Sequence, residues 1–295
     1  MLTKKQYPDW TSLIVDAYHH GMAHMQEEHL EKYMDDLRDD LRSSFLRGSS
    51  TPAVRPSGGI NCSAMTALLA EGFGAAEDPR DLPRVLFATG HFHHNLLYAA
   101  LSSALPPDAF RLTIEEVVDL EPLPWWPVGP GFNLSGHIDL QLECVDDSWL
   151  ACNAPRKIVA DVKTRHSLGM KKKKDIVTPS NDVWGNLSQL AVYSALKGTI
   201  EDGALLVYIN REVPKALGSR IQCAHIFPEY LSAELEAVKI RLDKAVRGEF
   251  DPEMWRRKYH GGDLAKEFVP CQGSPTPYCP VATECERRRE GMFEV

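Results

Sequence analysis

From Trp10 to Phe45, apolar side chains recur at threes and fours: Trp10, Leu13, Ile14, Tyr18, Met22, Met25, Leu30, Met34, Leu37, Leu41 and Phe45. That spacing gathers them on one face of a helix and predicts helical structure over residues 10–47. The stretch RGSSTPAVRPSGG that follows is rich in Gly, Pro and Ser and predicts a loop. A short helix is expected from Ser63 to Glu71, and a longer one after Pro83, through His94 to about Leu105. Beyond PPDAF the pattern changes. RLTIEEVVDL, FNLSGHIDLQLECV and RKIVADVKTR carry alternating or continuous β-branched and apolar residues between turn signals, which predicts three strands. The proline-rich EPLPWWPVGPGF reads as a hairpin-like connection between the first two. A helix over about Asp182 to Leu196 comes next, then strands at ALLVYIN and RIQCAHIF, then a long helix from about Tyr230 to Arg247. The tail after it is irregular, and the chain shows no internal repeat.

An order of helix, three strands, helix and strand, with helical additions before and after, predicts an α/β fold: a mixed sheet flanked by helices. The 295-residue length is enough for a substantial core, and 43% apolar and 25% charged residues are ordinary for a globular chain. No run approaches the roughly 18 apolar residues of a membrane span, and MLTKKQYPDW is not followed by the apolar core of a secretory signal. An intracellular, cytoplasmic protein without a membrane partner is the expectation.

Net charge is −8, but the acid concentrates in MQEEHLEKYMDDLRDDL. Basic residues cluster at Lys171 to Lys174, Arg256 to Lys258 and Arg287 to Arg289. Phosphate binding depends on such local patches and not on the total, so a nucleic-acid partner stays compatible.

The chemistry centres on GHIDL and IVADVKTR. Asp139 lies in a strand of otherwise apolar residues; Asp161 and Lys163 lie two apart on the next strand and so point to one face. If the two strands pair as a hairpin, both carboxylates and the ammonium meet at one end of the sheet. Carboxylate oxygens suit a hard divalent ion such as magnesium or manganese. A neighbouring lysine can stabilise developing negative charge or orient water. A lone D-x-K is more often a solvated strand-end pair, so the weight comes from what surrounds it. Gln189 and Tyr193 in QLAVYSAL stand four apart on one helix face and can act together. GHFHHNLL offers His91, His93 and His94 on the preceding helix, and Glu115 or Glu116 stands on the first strand.

Together these residues resemble the RecB-like exonuclease branch of the PD-(D/E)xK superfamily, which includes the iron–sulfur exonucleases of CRISPR adaptation and their phage-encoded relatives. His94 takes the position of the helix-borne metal ligand, Asp139 the first acidic ligand, Asp161 and Lys163 the second acid and the catalytic lysine. Gln189 and Tyr193 match the Q-x-x-x-Y motif. The resemblance implies a restriction-endonuclease-like core over 81–228 and a helical N-terminal extension over 1–80 carrying Cys62. A C-terminal helix and cysteine-rich tail over 229–295 completes one compact unit. It also implies that Asp139, Asp161, His94 and the carbonyl of Val162 hold magnesium or manganese, while Lys163, Gln189 and Tyr193 serve the reaction. That reaction is in-line attack of water on a DNA phosphodiester, most simply by an exonuclease on single strands or DNA ends.

Seven cysteines in a reducing compartment do not predict disulfides. In the resembling subgroup one cysteine precedes the core and three follow it. Cys62, Cys271, Cys279 and Cys285 fit that order and imply a structural four-iron, four-sulfur (4Fe-4S) cluster. Five residues separate Cys279 from Cys285, as in the family pattern, but seven separate Cys271 from Cys279, which is longer than usual. Zinc is the rival occupant. Cys144, Cys152 and Cys223, on or next to strands, are expected to be buried thiols. Trp125, Trp126 and Trp184 could stack on unpaired bases or belong to the core.

Two other readings stay open. One is a catalytically silent nuclease-like domain that recruits recombination or replication proteins; the other is a zinc-stabilised nucleic-acid-binding protein. A restriction-type endonuclease is a subordinate enzyme alternative. Recombination, repair and phage DNA metabolism in a bacterial host are the settings the resemblance implies.

Overall fold

Five strands form one sheet in the order β1-β2-β3-β4-β5: β1 Phe110–Asp119, β2 Ser135–Cys144, β3 Lys157–Arg165, β4 Ala204–Asn210 and β5 Ile221–Ile226. β1–β2, β2–β3 and β4–β5 are antiparallel and β3–β4 is parallel. The computed structural model describes residues 1–46, 54–56, 60, 63–73, 81–165, 177–178, 186–212, 220–249, 281, 284–285 and 287–288. The parallel step needs a crossover, and helix α5 (Asn186–Lys197) supplies it. β4 is buried along its whole length, as befits a strand covered on both faces. The α/β expectation, a mixed sheet flanked by helices, is met.

One apolar layer holds α1 (Trp10–Ala23), α2 (Glu27–Leu46) and α4 (Asp81–Ala104) against the sheet through Trp10, Leu13, Tyr18, Leu97, Tyr98 and Leu101. Asp9 caps α1 by accepting the Ser12 N–H at 2.7 Å, a contact worth about 1 kcal/mol. The α1 and α4 backbones touch: a Cβ on Gly21 would lie 1.9 Å from the Ala100 carbonyl oxygen. The periodicity over 10–47 divides into two helices, with the break at His24–Gln26. There the Gln26 N–H donates to Ser103 Oγ on α4 at 3.1 Å. A tertiary partner ends the helix, and no Gly or Pro marks it in the sequence.

The opposite layer contains α3 (Ser63–Ala70), α5 and α6 (Pro228–Val246). Buried Arg241 donates to Glu234 Oε1 and to the Ile60 carbonyl, each at 2.6 Å, while Ser188 donates to the same carboxylate at 2.6 Å. This polar knot joins α5, α6 and the residue Ile60 ahead of α3, and its satisfied partners make so buried an ion pair tolerable. Trp126 is part of this layer, with Nε1 bonded to the Asn133 carbonyl at 2.9 Å, and Trp125 is half-buried under Lys239. Cys144 and Cys223 are buried as expected, but Cys152 is exposed because it falls in the turn that joins β2 to β3. Among the described residues no helix is long and apolar enough to cross a membrane.

The β1–β2 ribbon changes the layer it faces midway. Leu112 and Ile114 pack on the α1/α4 side, as do Leu140 and Leu142, whereas Val118 and Ile138 belong to the α5/α6 side. Residues of equal parity share a face in a regular strand, so the ribbon must roll over between them. The roll falls at Glu115, whose φ is +49°. Left-handed backbone in a non-glycine residue inside a strand costs on the order of 1–3 kcal/mol, a strain that recurs at functional sites.

Candidate metal centre

The register explains why chemistry concentrates at that roll. Ile114 pairs with Leu140 and Glu116 with Ile138, which sets Glu115 across from Asp139. The β2–β3 ladder ends at Leu140–Ala160, one residue short of Asp139 and Asp161, whose charges still interact. Three carboxylates therefore stand in one row over three adjacent strands. Like charges placed opposite one another are unfavourable in a sheet unless something positive sits among them.

His94 completes the set from α4. One ligand atom each from His94, Glu115 and Asp139 lie within 4.8 Å of one another. The His94 Nδ1–Glu115 Oε1 separation is 3.9 Å, and Tyr98, one helical turn on, donates its hydroxyl to the same Oε1 at 2.8 Å. Burial alone would raise the Glu115 carboxyl, but bonds from His94 and Tyr98 outweigh it and hold the group below its ordinary range. Burial, with the Asp139 and Glu115 charges adding, pushes the Tyr98 phenol well above its ordinary value, so it stays a donor. Glu116 points elsewhere and pairs with Lys197 on α5 at 2.6 Å.

Asp139 and His94 thus meet as the sequence suggests, with Glu115 as third member. Asp139 Oδ2 also accepts the Val162 N–H at 2.8 Å, replacing the backbone partner that β2 no longer provides once the strands part. Asp161 lies one step along the row, 1% exposed. Its Oδ1 accepts from Lys163 Nζ at 2.7 Å, and its buried Oδ2 has no hydrogen-bond partner among the described residues. A buried carboxylate oxygen left without a donor, beside two more carboxylates and an imidazole, fits a hard divalent cation such as manganese or magnesium.

Burial, with Asp139 adding, pushes the Asp161 carboxyl up to about 7, against the pull of Lys163. Burial works against the Lys163 charge too, but Asp161 and Asp139 outweigh it, and the ammonium is held above its ordinary range. The raised carboxyl has a thermodynamic consequence for the metal-free protein. Between about pH 4 and 7 the folded form keeps a proton that the unfolded chain has released, so stability falls as pH rises through that window. The expected result is a melting temperature that drops over this range more steeply in wild type than in Asp161→Asn. Parallel profiles would show that the carboxyl is not perturbed.

Tyr193 is buried on α5, and its hydroxyl oxygen accepts the His137 N–H at 3.1 Å, two residues before Asp139. It therefore touches the strand that carries the ligand and not the ligand itself. Gln189, one turn earlier, is buried as well. A Cβ on Gly136 would lie 2.9 Å from both Cε1 and the hydroxyl oxygen of Tyr193, so glycine is what lets the ring lie flat on β2. Gly136→Ala is expected to cost about 1–3 kcal/mol, measured by denaturant unfolding, since the packed ring has nowhere to move. Tyr98→Phe is expected to weaken manganese binding about tenfold in calorimetry by freeing Glu115 from its orienting bond. Unchanged affinity would remove Glu115 from the ligand set.

Of the proposed cluster cysteines, Cys62, Cys271 and Cys279 lie outside the described residues, as do Lys171 to Lys174 and Trp184. Cys285 is half-buried against the α5/α6 layer, and nearby Arg288 forms an ion pair with Glu71, just after α3. The sequence signal for Glu115 was only an acid on the first strand. Comparison with family models, with curated proteins and with solved structures gives no match to the chain.

Proposed function

We propose that the chain is a magnesium- or manganese-dependent deoxyribonuclease with a PD-(D/E)xK core, acting as an exonuclease on single-stranded DNA or DNA ends. The observation that carries this reading is the convergence of His94, Glu115 and Asp139 beside the buried Asp161–Lys163 pair. His94, Glu115, Asp139, the open Oδ2 of Asp161 and the carbonyl of Val162 would hold the cation. When bound, it would supply charge neutralisation at the phosphate and lower the pKa of a water.

The protein's own groups do the rest. Lys163 keeps its proton at neutral pH, so its ammonium favours the charge that builds on the phosphate oxygens over a role as base. Water oxygen forms a new bond to phosphorus and gives up a proton to solvent, while the ester bond to the leaving sugar oxygen breaks and that oxygen takes a proton from solvent. Tyr98 fixes Glu115, and Tyr193 fixes the backbone of β2 at His137. Gln189 shares the Tyr193 face of α5 and belongs to the same supporting layer.

Cys62, Cys271, Cys279 and Cys285 are proposed to bind a structural 4Fe-4S cluster that staples the N- and C-terminal additions together. A brown anaerobic preparation with stoichiometric iron is the expected result; a colourless protein with stoichiometric zinc would replace cluster with zinc. Recombination, repair or phage DNA metabolism inside the cell, with recombination or replication proteins nearby, is the setting we propose.

The test is a cleavage panel with linear single-stranded, linear double-stranded and covalently closed circular DNA, in magnesium or manganese and with chelator. Loss of the linear substrates with the closed circle spared is the expected outcome. Cutting of the closed circle would make the enzyme an endonuclease, and no metal-dependent cutting of any substrate would overturn the reading.

A further inference from the structure

The last turn of α1 carries a second group of nitrogen donors, away from the carboxylate row. His20 and His24 stand four apart, the spacing that sets two side chains over one another on a helix. His24 is the C-cap, and its N–H still donates to the His20 carbonyl at 3.0 Å, so the turn between them is closed. The two imidazole rings lie with centroids 4.6 Å apart and planes tilted by 48°. The Met1 carbonyl bonds the His20 ring, and the next residue, Leu2, donates its N–H to the Ala104 carbonyl at 2.7 Å. Ala104 ends α4 nearly three turns, about 15 Å, beyond His94. The histidine pair therefore sits toward the far end of the helix that carries His94.

His20 has the surroundings of a ligand histidine. Its Nε2 is buried and has no hydrogen-bond partner among the described residues. The bond to the Met1 carbonyl therefore falls to Nδ1, which carries the ring proton and leaves a lone pair on Nε2. A backbone carbonyl on the far ring nitrogen is what fixes the tautomer and direction of metal-bound imidazoles. Burial first, then the Met1 amino group and His24, lower the His20 pKa against the pull of the Met1 carbonyl, so the ring is neutral at pH 7. Two imidazoles joined to one ion by bonds of about 2.0 Å hold their ring centres about 4.5–5 Å apart. The observed 4.6 Å falls in that range. Among the described residues neither ring pairs with a carboxylate; the histidines that do are His29 and His94. Donors of nitrogen alone favour a borderline ion over magnesium or manganese.

We propose that His20 and His24 form a second metal site, which takes a divalent ion of the zinc class through two imidazole nitrogens, with water completing its shell. The site stands apart from the nuclease reading and differs from the carboxylate row in the hardness of its donors. Its ion fastens the last turn of α1 to the His20 ring, which the Met1 carbonyl already holds. Because the folded chain alone brings the two nitrogens together in this way, zinc adds to the stability of that corner.

The test follows diethyl pyrocarbonate modification of each histidine by peptide mass spectrometry, on the full chain with and without zinc chloride. Zinc is expected to protect His24 in wild type and not in His20→Asn, because one exposed imidazole without its chelate partner holds the ion far more weakly. Circular dichroism checks the fold of His20→Asn. Equilibrium dialysis supplies a second readout on His24→Asn, which alters only an exposed side chain. That variant is expected to bind about one equivalent of zinc fewer than wild type, a difference that discounts zinc taken by cysteines or by the carboxylate row. Equal protection of His24 in wild type and folded His20→Asn, no protection in either, or equal zinc uptake by His24→Asn and wild type would each overturn the site. Manganese-dependent DNA cleavage is expected to be the same in His24→Asn and wild type, so the outcome leaves the nuclease reading where it stood.

Discussion

Asp139→Asn is expected to slow metal-dependent DNA cleavage by about a thousandfold, a loss of ~4 kcal/mol of transition-state stabilisation, while the metal-free protein melts no lower than wild type. Asp139 is the hinge of the carboxylate row. It shares ligand distance with His94 and Glu115, and its charge acts on Asp161. The amide keeps an oxygen that can still accept the Val162 N–H, so the strands stay joined at this point. It removes the charge that raises Asp161 and that repels Glu115 across the ribbon. Function is lost and electrostatic strain relieved by the same change, as is common where a site is built against stability. The measurements are the cleavage rate at saturating manganese and the melting temperature in chelator. A rate within tenfold of wild type would remove Asp139 from the reaction, and a sharply lower melting temperature would make its role structural.

Lys163→Ala is expected to cost both activity and stability. The ammonium lies 2.7 Å from Asp161 Oδ1, and without it the buried carboxyl has no partner on either oxygen among the described residues. An uncompensated buried charge costs about 3–5 kcal/mol, and the carboxyl can escape part of that by taking up a proton. The stability loss should therefore be largest above about pH 7 and shrink toward acid, where Asp161 is neutral in both proteins. Catalysis should fall about a hundred- to a thousandfold, the usual effect of removing one group that stabilises developing negative charge. Adding manganese should restore part of the stability, because a cation at the row offers Asp161 a substitute partner. A melting profile parallel to wild type at every pH would show that the pair is not coupled.

The sequence displayed much of this arrangement because strands and amphipathic helices leave periodic traces. The three strands around Ile114, Ile138 and Val159, the helix through His94 and the helix through Tyr193 all lie where apolar spacing placed them. Asp139 was legible because a polar residue inside an apolar run stands out, whereas His94 was separated from His91 and His93 only by the family resemblance. Glu115 was not distinguishable from Glu116, since the choice depends on a left-handed backbone at one residue and on cross-strand register. Neither leaves a mark in a run such as TIEEVV. The break near Gln26 was hidden for a related reason: Met22 and Met25 continue the helical period, and Ser103, far away in sequence, supplies the partner that ends it. The exposure of Cys152 and the core position of Trp126 likewise depend on where turns fold back.

The most direct measurement is the manganese-dependent release of nucleotides from end-labelled single-stranded DNA by wild type, with Asp139→Asn alongside. The expected result is cleavage that rises with manganese, stops on chelation and is lost in the variant. Cleavage that persists in Asp139→Asn, or a wild-type protein that binds manganese yet leaves every DNA intact, would contradict it.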